Sequence, residues 1–312
     1  MKTALPHDLP VITARSWGMV ATLGLVWGAT FMVIELALQG FTPLWVATGR
    51  LTLAAALLCA VWAFRGGPVR LVRDDRARWP YVLTVGLTGT MLPFMALSWG
   101  QTYVTSGFAG VCMAAVPLMV LPLAHVFVPG ERLGWRRVAG FLVGFAGVAV
   151  LIGPGAFAST GVAGEALGRL ACLAAAACYA VSSILTRRCP PIDPVALASL
   201  TLLVGAAIAL PVALAVDGLP VAPPRAALLA LVTLALVPTA AAALLRIVVI
   251  RSAGPVFMNL VNYQVPVWSI MFGWALLNEP LPPSLLTALA LILAGLVLSQ
   301  WRALGALFRR TG

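Results

Sequence analysis

Two stretches, AAVPLMVLPLAHVFVPGERL at residues 114–133 and YQVPVWSIMFGWALLNEPL at residues 263–281, decide how this chain is built. Each sets a proline (Pro117, Pro266) in an apolar run and a glutamate (Glu131, Glu279) 14 or 13 residues after it. Upstream of them a second pair matches, FTPLWVATGRLTLAAALL around Pro43 and IDPVALASLTLLVGAAIAL around Pro194. The offsets, 149 and 151 residues, agree closely, which is the signature of an internal duplication.

The runs around these prolines are too long and too apolar for a water-soluble core. Of the 312 residues, 62% are hydrophobic and 9% charged, where a soluble domain carries about 25% charged residues, so lipid is the expected solvent. A hydrocarbon layer of about 30 Å needs about 20 helical residues, and such stretches fall at 17–37, 44–64, 80–98, 106–128, 138–153, 168–186, 194–215, 226–245, 255–277 and 283–300. Helices are required because each backbone polar group in lipid must be paired within its own segment. The first stretch exceeds the 7–15 residues of a signal-peptide core and reads as a membrane helix. The expectation is an all-α integral membrane protein of ten transmembrane helices, with repeats of five at 17–153 and 168–301. Five is odd, so the second repeat enters the membrane upside down, placing Glu131 at a cytoplasmic helix end and Glu279 at a periplasmic one.

Charge sets the orientation. The net charge of +11 might suggest nucleic acid, but there is no soluble basic domain to hold a duplex. With the N-terminus inside, 17 of the 20 basic residues fall in cytoplasmic segments, as the positive-inside rule requires. Both termini are thus expected in the cytoplasm, in a multi-pass protein of the cell's inner membrane. The five cysteines (Cys59, Cys112, Cys172, Cys178, Cys189) are scattered through apolar segments without a CxxC pair, which argues against a disulfide framework and a metal site. The sequence has no GK[ST] phosphate loop, so ATP is not expected as an energy source and no cofactor is assigned.

Few polar residues lie inside the apolar runs. Arg50 stands within the second, where a guanidinium costs at least about 2.5–3.5 kcal/mol at the bilayer centre; it either meets an anionic solute in a cavity, or snorkels to the outer interface or bonds backbone carbonyls. Glu35, near the outer end of the first run, is close enough to reach Arg50, and is either a proton-coupling carboxylate or one exposed to lipid headgroups. Asn259, Asn262, Tyr263 and Pro266 follow an i, i+3, i+4, i+7 spacing, which puts them on one helix face; that face lines a cavity or holds the bundle together by interhelical bonds. Tyr179 on the sixth helix, and Trp99 and Gln101 at the end of the third, are weaker lining candidates, Trp99 having the alternative of an interfacial aromatic. His125 reads as packed, and Glu131 and Glu279 as capping and loop-anchoring groups. Gly24/Gly28 and Gly140/Gly144 have the GxxxG spacing of close helix approach.

In their order and duplication, the Trp27-Gly28 pair, the Arg50 that follows Pro43 and the repeated proline-to-glutamate blocks resemble the drug/metabolite transporter superfamily, in its ten-helix branch with paired EamA domains. The resemblance runs from about Val20 to Trp301, with one departure: the repeat counterpart of Arg50 is Thr201. It implies a secondary transporter with a central cavity between the halves, alternately open to each side and often exporting amino acids or other small metabolites, driven by a proton or counter-solute. Oligomeric state is open. The alternative class, a membrane-embedded enzyme modifying lipid or peptide, needs a catalytic cluster, whereas His7 and His125 are the only histidines and the acidic residues are dispersed. No catalytic or metal-binding residue is therefore assigned. A channel would need charged rings or a filter loop.

Overall fold

Residues 12–67, 77–128, 134–152 and 164–308 are described in a computed structural model of the chain. Glu131 and the loop that holds it lie outside them. Among the described residues the helices form ten long segments and one short turn, Pro255–Met258, with no strand between them: α1 (Ala14–Leu38), α2 (Pro43–Phe64), α3 (Trp79–Gly100), α4 (Ser106–Phe127), α5 (Trp135–Ile152), α6 (Glu165–Arg188), α7 (Pro194–Val216), α8 (Arg225–Ala253), α9 (Val261–Leu277) and α10 (Pro283–Phe308). Eight of these are long and apolar enough to cross a membrane. Large apolar side chains such as Leu142, Phe145, Leu229 and Trp274 point outward, a surface that suits lipid and not water.

Helix starts follow local chemistry. Thr13, Thr42, Thr105 and Asp193 each precede a helix and accept from backbone N–H groups in its first turn, and Pro43 and Pro194 occupy the first helical position, where a missing N–H costs nothing.

Inside the helices, proline has the opposite effect. It cannot donate to the carbonyl four residues back, and its ring crowds that carbonyl. Helix α3 widens into a π turn at Leu87–Met91 just before Pro93, and α8 does so at Ala235–Ala241 around Pro238. In α4 the helix breaks at Ala114–Ala115 ahead of Pro117. The two π turns begin 148 residues apart, close to the offsets of the sequence repeat.

Packing repeats as well. Helix α2 packs on α7 and α5 on α10; α1 packs on α9 as α6 does on α4; α1 packs on α8 as α6 does on α3; α2 packs on α8 as α7 does on α3. Exchanging each helix for the one five places along leaves these contacts unchanged. Glycines allow the closest crossings. A Cβ on Gly140 would stand 2.6 Å from the Gly295 carbonyl oxygen, and one on Gly295 would stand 2.5 Å from the Gly144 nitrogen. At the α1–α9 crossing a Cβ on Gly28 would lie 3.1 Å from the Val265 carbonyl oxygen, so both GxxxG pairs sit where backbones meet.

Four sequence expectations change. The tenth helix runs on to Phe308 instead of ending near residue 300. The eighth helix continues to Ala253 instead of ending near residue 245, taking Arg246 and Arg251 into its last turns, because basic side chains at a helix C-terminus suit both its dipole and the membrane interface. The ninth begins at Val261; Pro255–Met258 form a separate turn after Gly254, whose φ of 89° ends α8. His125 is exposed on α4 rather than packed.

Replacing Gly140 by Leu should force α5 and α10 apart and cost about 1–3 kcal/mol, lowering the thermal unfolding midpoint in detergent. Gly18→Leu, at a position with no heavy atom within 4 Å of its added Cβ, should leave the midpoint nearly unchanged.

Candidate functional site

Arg50 is the centre of the most polar arrangement within the helices. It is only 6% exposed, so it does not snorkel. Its Nε donates to Thr239 Oγ1 at 2.7 Å, and its guanidinium carbon lies 3.8 Å from the centre of the Phe94 ring. Both partners depend on the π turns. Thr239 lies within the π turn of α8, where its hydroxyl donates to the Leu234 carbonyl at 2.7 Å and keeps its lone pairs for Arg50. Phe94 follows Pro93, one turn past the π segment of α3. The neighbouring Pro238 carbonyl accepts from Trp27 Nε1 at 3.0 Å, which ties α1 to the same point.

These contacts stabilise a charge that the apolar helix would not otherwise hold. A hydrogen bond to a charged group contributes about 1.5–3 kcal/mol and a desolvated cation–π contact about 2 kcal/mol, comparable with the cost of the charge in lipid. The bond to Thr239 uses one of the five guanidinium N–H groups, and the other four belong to the two terminal nitrogens.

Tyr179 of α6 comes close enough to Arg50 to interact with it electrostatically, and its ring bridges the two main apolar clusters. The other half of the bundle lacks the charge. Thr90, which stands 149 residues before Thr239, donates to its own helix at Gly86 and lies 3.4 Å from the carbonyl of Thr201, the counterpart of Arg50. The two π turns are therefore equivalent in position but cationic on one side only.

The remaining sequence candidates divide into two groups. On α9, Asn262 and Tyr263 are half-buried, and the Tyr263 hydroxyl donates to the Leu296 carbonyl of α10 at 3.2 Å. Asn259 is exposed on the turn before α9, and its carbonyl accepts from the Asn262 N–H at 3.1 Å; the turn removes it from the helical face expected to continue through it. At the C-terminal end of α3, Trp99 is exposed with its ring 5.0 Å from that of Tyr103. Gln101 is buried, its Nε2 donating to the Phe31 carbonyl at 2.8 Å. Glu35 has the Glu279 carboxylate as its electrostatic neighbour, and the described ion pairs do not join it to Arg50. In place of the expected Glu35 contact, Arg50 has Thr239 and Phe94 as its partners. Glu279 accepts from the backbone N–H groups of Ser106 and Gly107 at 2.7 and 3.0 Å, capping α4 from the other repeat.

Trp27, Phe94 and Thr239 were missing from the sequence-based set of site residues. The signal for Thr239 was present, since Thr90 and Thr239 share the 149-residue offset of the prolines, but a threonine in an apolar helix ordinarily bonds its own backbone.

The EamA-like transporter family matches the chain twice, over residues 16–153 and 166–301. A protein of Streptantibioticus cattleyicolor named "Probable terminal-alkyne amino-acid exporter" is 30% identical over 297 residues, covering 93% of this chain and 94% of its own length. The "Uncharacterized inner membrane transporter YedA" of Escherichia coli is 27% identical over 290 residues, covering 90% and 89%. The "S-adenosylmethionine/S-adenosylhomocysteine transporter" of Chlamydia trachomatis is 24% identical, covering 86% and 84%. A solved crystal structure with a TM-score of 0.64, 24% identical and covering 94% of this chain and 98% of its own, shares the fold.

Thr239→Val removes the acceptor of a buried charged donor and should destabilise the protein by about 1–3 kcal/mol; Thr239→Ser, which retains the hydroxyl, should recover most of the loss in a thermal unfolding measurement.

Proposed function

The chain belongs to the EamA-like transporter family, and from that premise we propose that it is a secondary carrier exporting a small carboxylate-bearing metabolite, such as an amino acid or a drug-like acid. It is a multi-pass inner-membrane transporter. The observation that carries the proposal is the buried Arg50, held between two π turns with four guanidinium N–H groups beyond the one given to Thr239. A fork of this kind matches a carboxylate in a bidentate contact. That one half presents it and the other presents Thr201 suits a solute with a single anionic end.

In this reading all ten helices cross the membrane as two inverted repeats, 17–153 and 168–301, with both termini in the cytoplasm. The exchange-invariant packing of the helices and the matched π turns support it. The solute lies between the repeats, its carboxylate on Arg50 and its apolar part against Tyr179, with Asn262 and Tyr263 on the opposing α9 and Asn259 at its inner end. Trp99 and Gln101 belong to the outer rim, and Glu35 to the coupling of transport to an ion gradient. Rocking of the repeats then exposes the site to each side in turn. The amino-acid cargo in the name of the Streptantibioticus relative agrees with a carboxylate at Arg50.

A thermal-shift screen of purified protein against amino acids, nucleosides, vitamins and cationic dyes tests this. Carboxylate compounds should stabilise the wild type, and the corresponding amides should bind at least about tenfold more weakly, the loss of one charged hydrogen bond or more. Arg50→Ala should abolish the response and Arg50→Lys should recover little of it. Equal stabilisation of Arg50→Ala and wild type would remove Arg50 from the site, and stabilisation by cationic dyes alone would overturn the substrate class.

A further inference from the structure

The outer ends of α1, α3, α4 and α9 meet around oxygen atoms that have no donor. Gln101 is 3% exposed, and the bond from its Nε2 to the Phe31 carbonyl fixes the amide so that Oε1 is its acceptor; that Oε1 is buried without a partner. Glu35 is one helical turn beyond Phe31. Side chains on a helix lean towards its N-terminus, so the Glu35 carboxylate lies over the turn at which Gln101 docks, and its Oε2 is likewise buried and unpartnered. Ser106 is fully buried, and its Oγ has no partner. That Oγ lies 2.9 Å from the point a Cβ on Gly273 would occupy, and the same Cβ would collide with the Glu279 carboxylate. Glu279 is also the carboxylate that acts on Glu35.

More than about 90% of buried polar groups in folded proteins are bonded, and each orphan costs about 1–3 kcal/mol. Three orphans in one region, two of them acceptors only, ask for a ligand that donates or carries positive charge. Glu279 has its charge satisfied by the N–H groups of Ser106 and Gly107 at the start of α4. Glu35 has no such group. The other charged side chains around these helices are engaged or distant from it: Arg169 of α6 pairs with Glu165 and faces the Phe108 ring at 5.7 Å, Arg50 is held by Thr239, and Asp217 and Arg225 are exposed on outer segments. The neighbouring groups are Tyr103, packed against Gly164, and Cys112, beside Cys172.

We infer that Glu35, Gln101 Oε1 and Ser106 Oγ, beside Glu279, form a site for a monovalent cation, a proton or a sodium ion, which holds the outer ends of α1, α3, α4 and α9 together when bound. A proton on Glu35 donates to one of the orphan acceptors; a sodium ion is ligated by all of them. The inference takes its purpose, coupling to an ion gradient, from the carrier reading, but the site can be detected without any solute.

Purified full-length protein is unfolded thermally in choline chloride between about pH 5 and pH 9, a range that spans carboxylate titration in buried settings, and again at the alkaline end with sodium chloride replacing choline. Wild type should lose about 3 °C or more as pH rises if the ion is a proton, or regain stability with sodium if it is sodium. Glu35→Gln, a neutral isostere that fills the site with its own amide, should respond to neither. Ser106→Ala, which keeps the backbone bond to Glu279, should show the response weakened severalfold, so the test survives a poorly folding Glu35 variant. A wild type indifferent to both ions, or a Glu35→Gln response equal to that of wild type, would overturn the site. Carboxylate binding through Arg50 is read separately, so either proposal can fail alone.

Discussion

A backbone N–H or C=O left open in hydrocarbon costs several kcal/mol, and every prominent feature of this bundle is a way of closing one. Proline is where the closure becomes difficult. At Pro93 and Pro238 the helix does not kink away its unpaired carbonyls but widens into π turns, and side chains complete the pairing: the Thr239 hydroxyl reaches back to Leu234, the Thr90 hydroxyl to Gly86, and Trp27 crosses from α1 to the Pro238 carbonyl. The wider turn gives these hydroxyls and carbonyls partners beyond their own helix. Arg50 can be buried because Thr239 is already held in place.

The same constraint explains the glycines. Without a hydrophobic force between helices in lipid, attraction comes from close packing. The α5–α10 crossing, where a single Cβ would fall within 2.6 Å of a backbone carbonyl, is the clearest case. Such a crossing joins two helices related by the repeat. The junction of α1, α3, α4 and α9 is of the opposite kind, held by polar contacts: Glu279 on the α4 N-terminus and Gln101 on Phe31.

Much of the architecture was legible in residues alone. Run length and composition located the ten helical segments to within a few residues, apart from the C-terminal ends of α8 and α10 and the start of α9, where Gly254 and the turn at Asn259 intervene. The repeated glutamate also announced the capping role of Glu279, and the glycine spacing announced that of the GxxxG pairs. The site was legible only in part. Arg50 stood out because a charge in an apolar run has to be accounted for, but its partners could not be identified, since Thr239 and Phe94 are 189 and 44 residues away in sequence and resemble ordinary helix residues.

By itself, then, the sequence determined the solvent of the protein, its helices and their duplication, because these follow from local hydrophobicity, from helix periodicity and from matches at a constant offset. The tertiary structure decided which polar atoms meet. It gave Arg50 the partners Thr239 and Phe94 in place of Glu35, and it set Glu279 as the electrostatic neighbour of Glu35. Those choices depend on helix rotation and on how far each backbone can approach its neighbour, quantities of a fraction of a turn and a few tenths of an ångström that no spacing along the chain encodes.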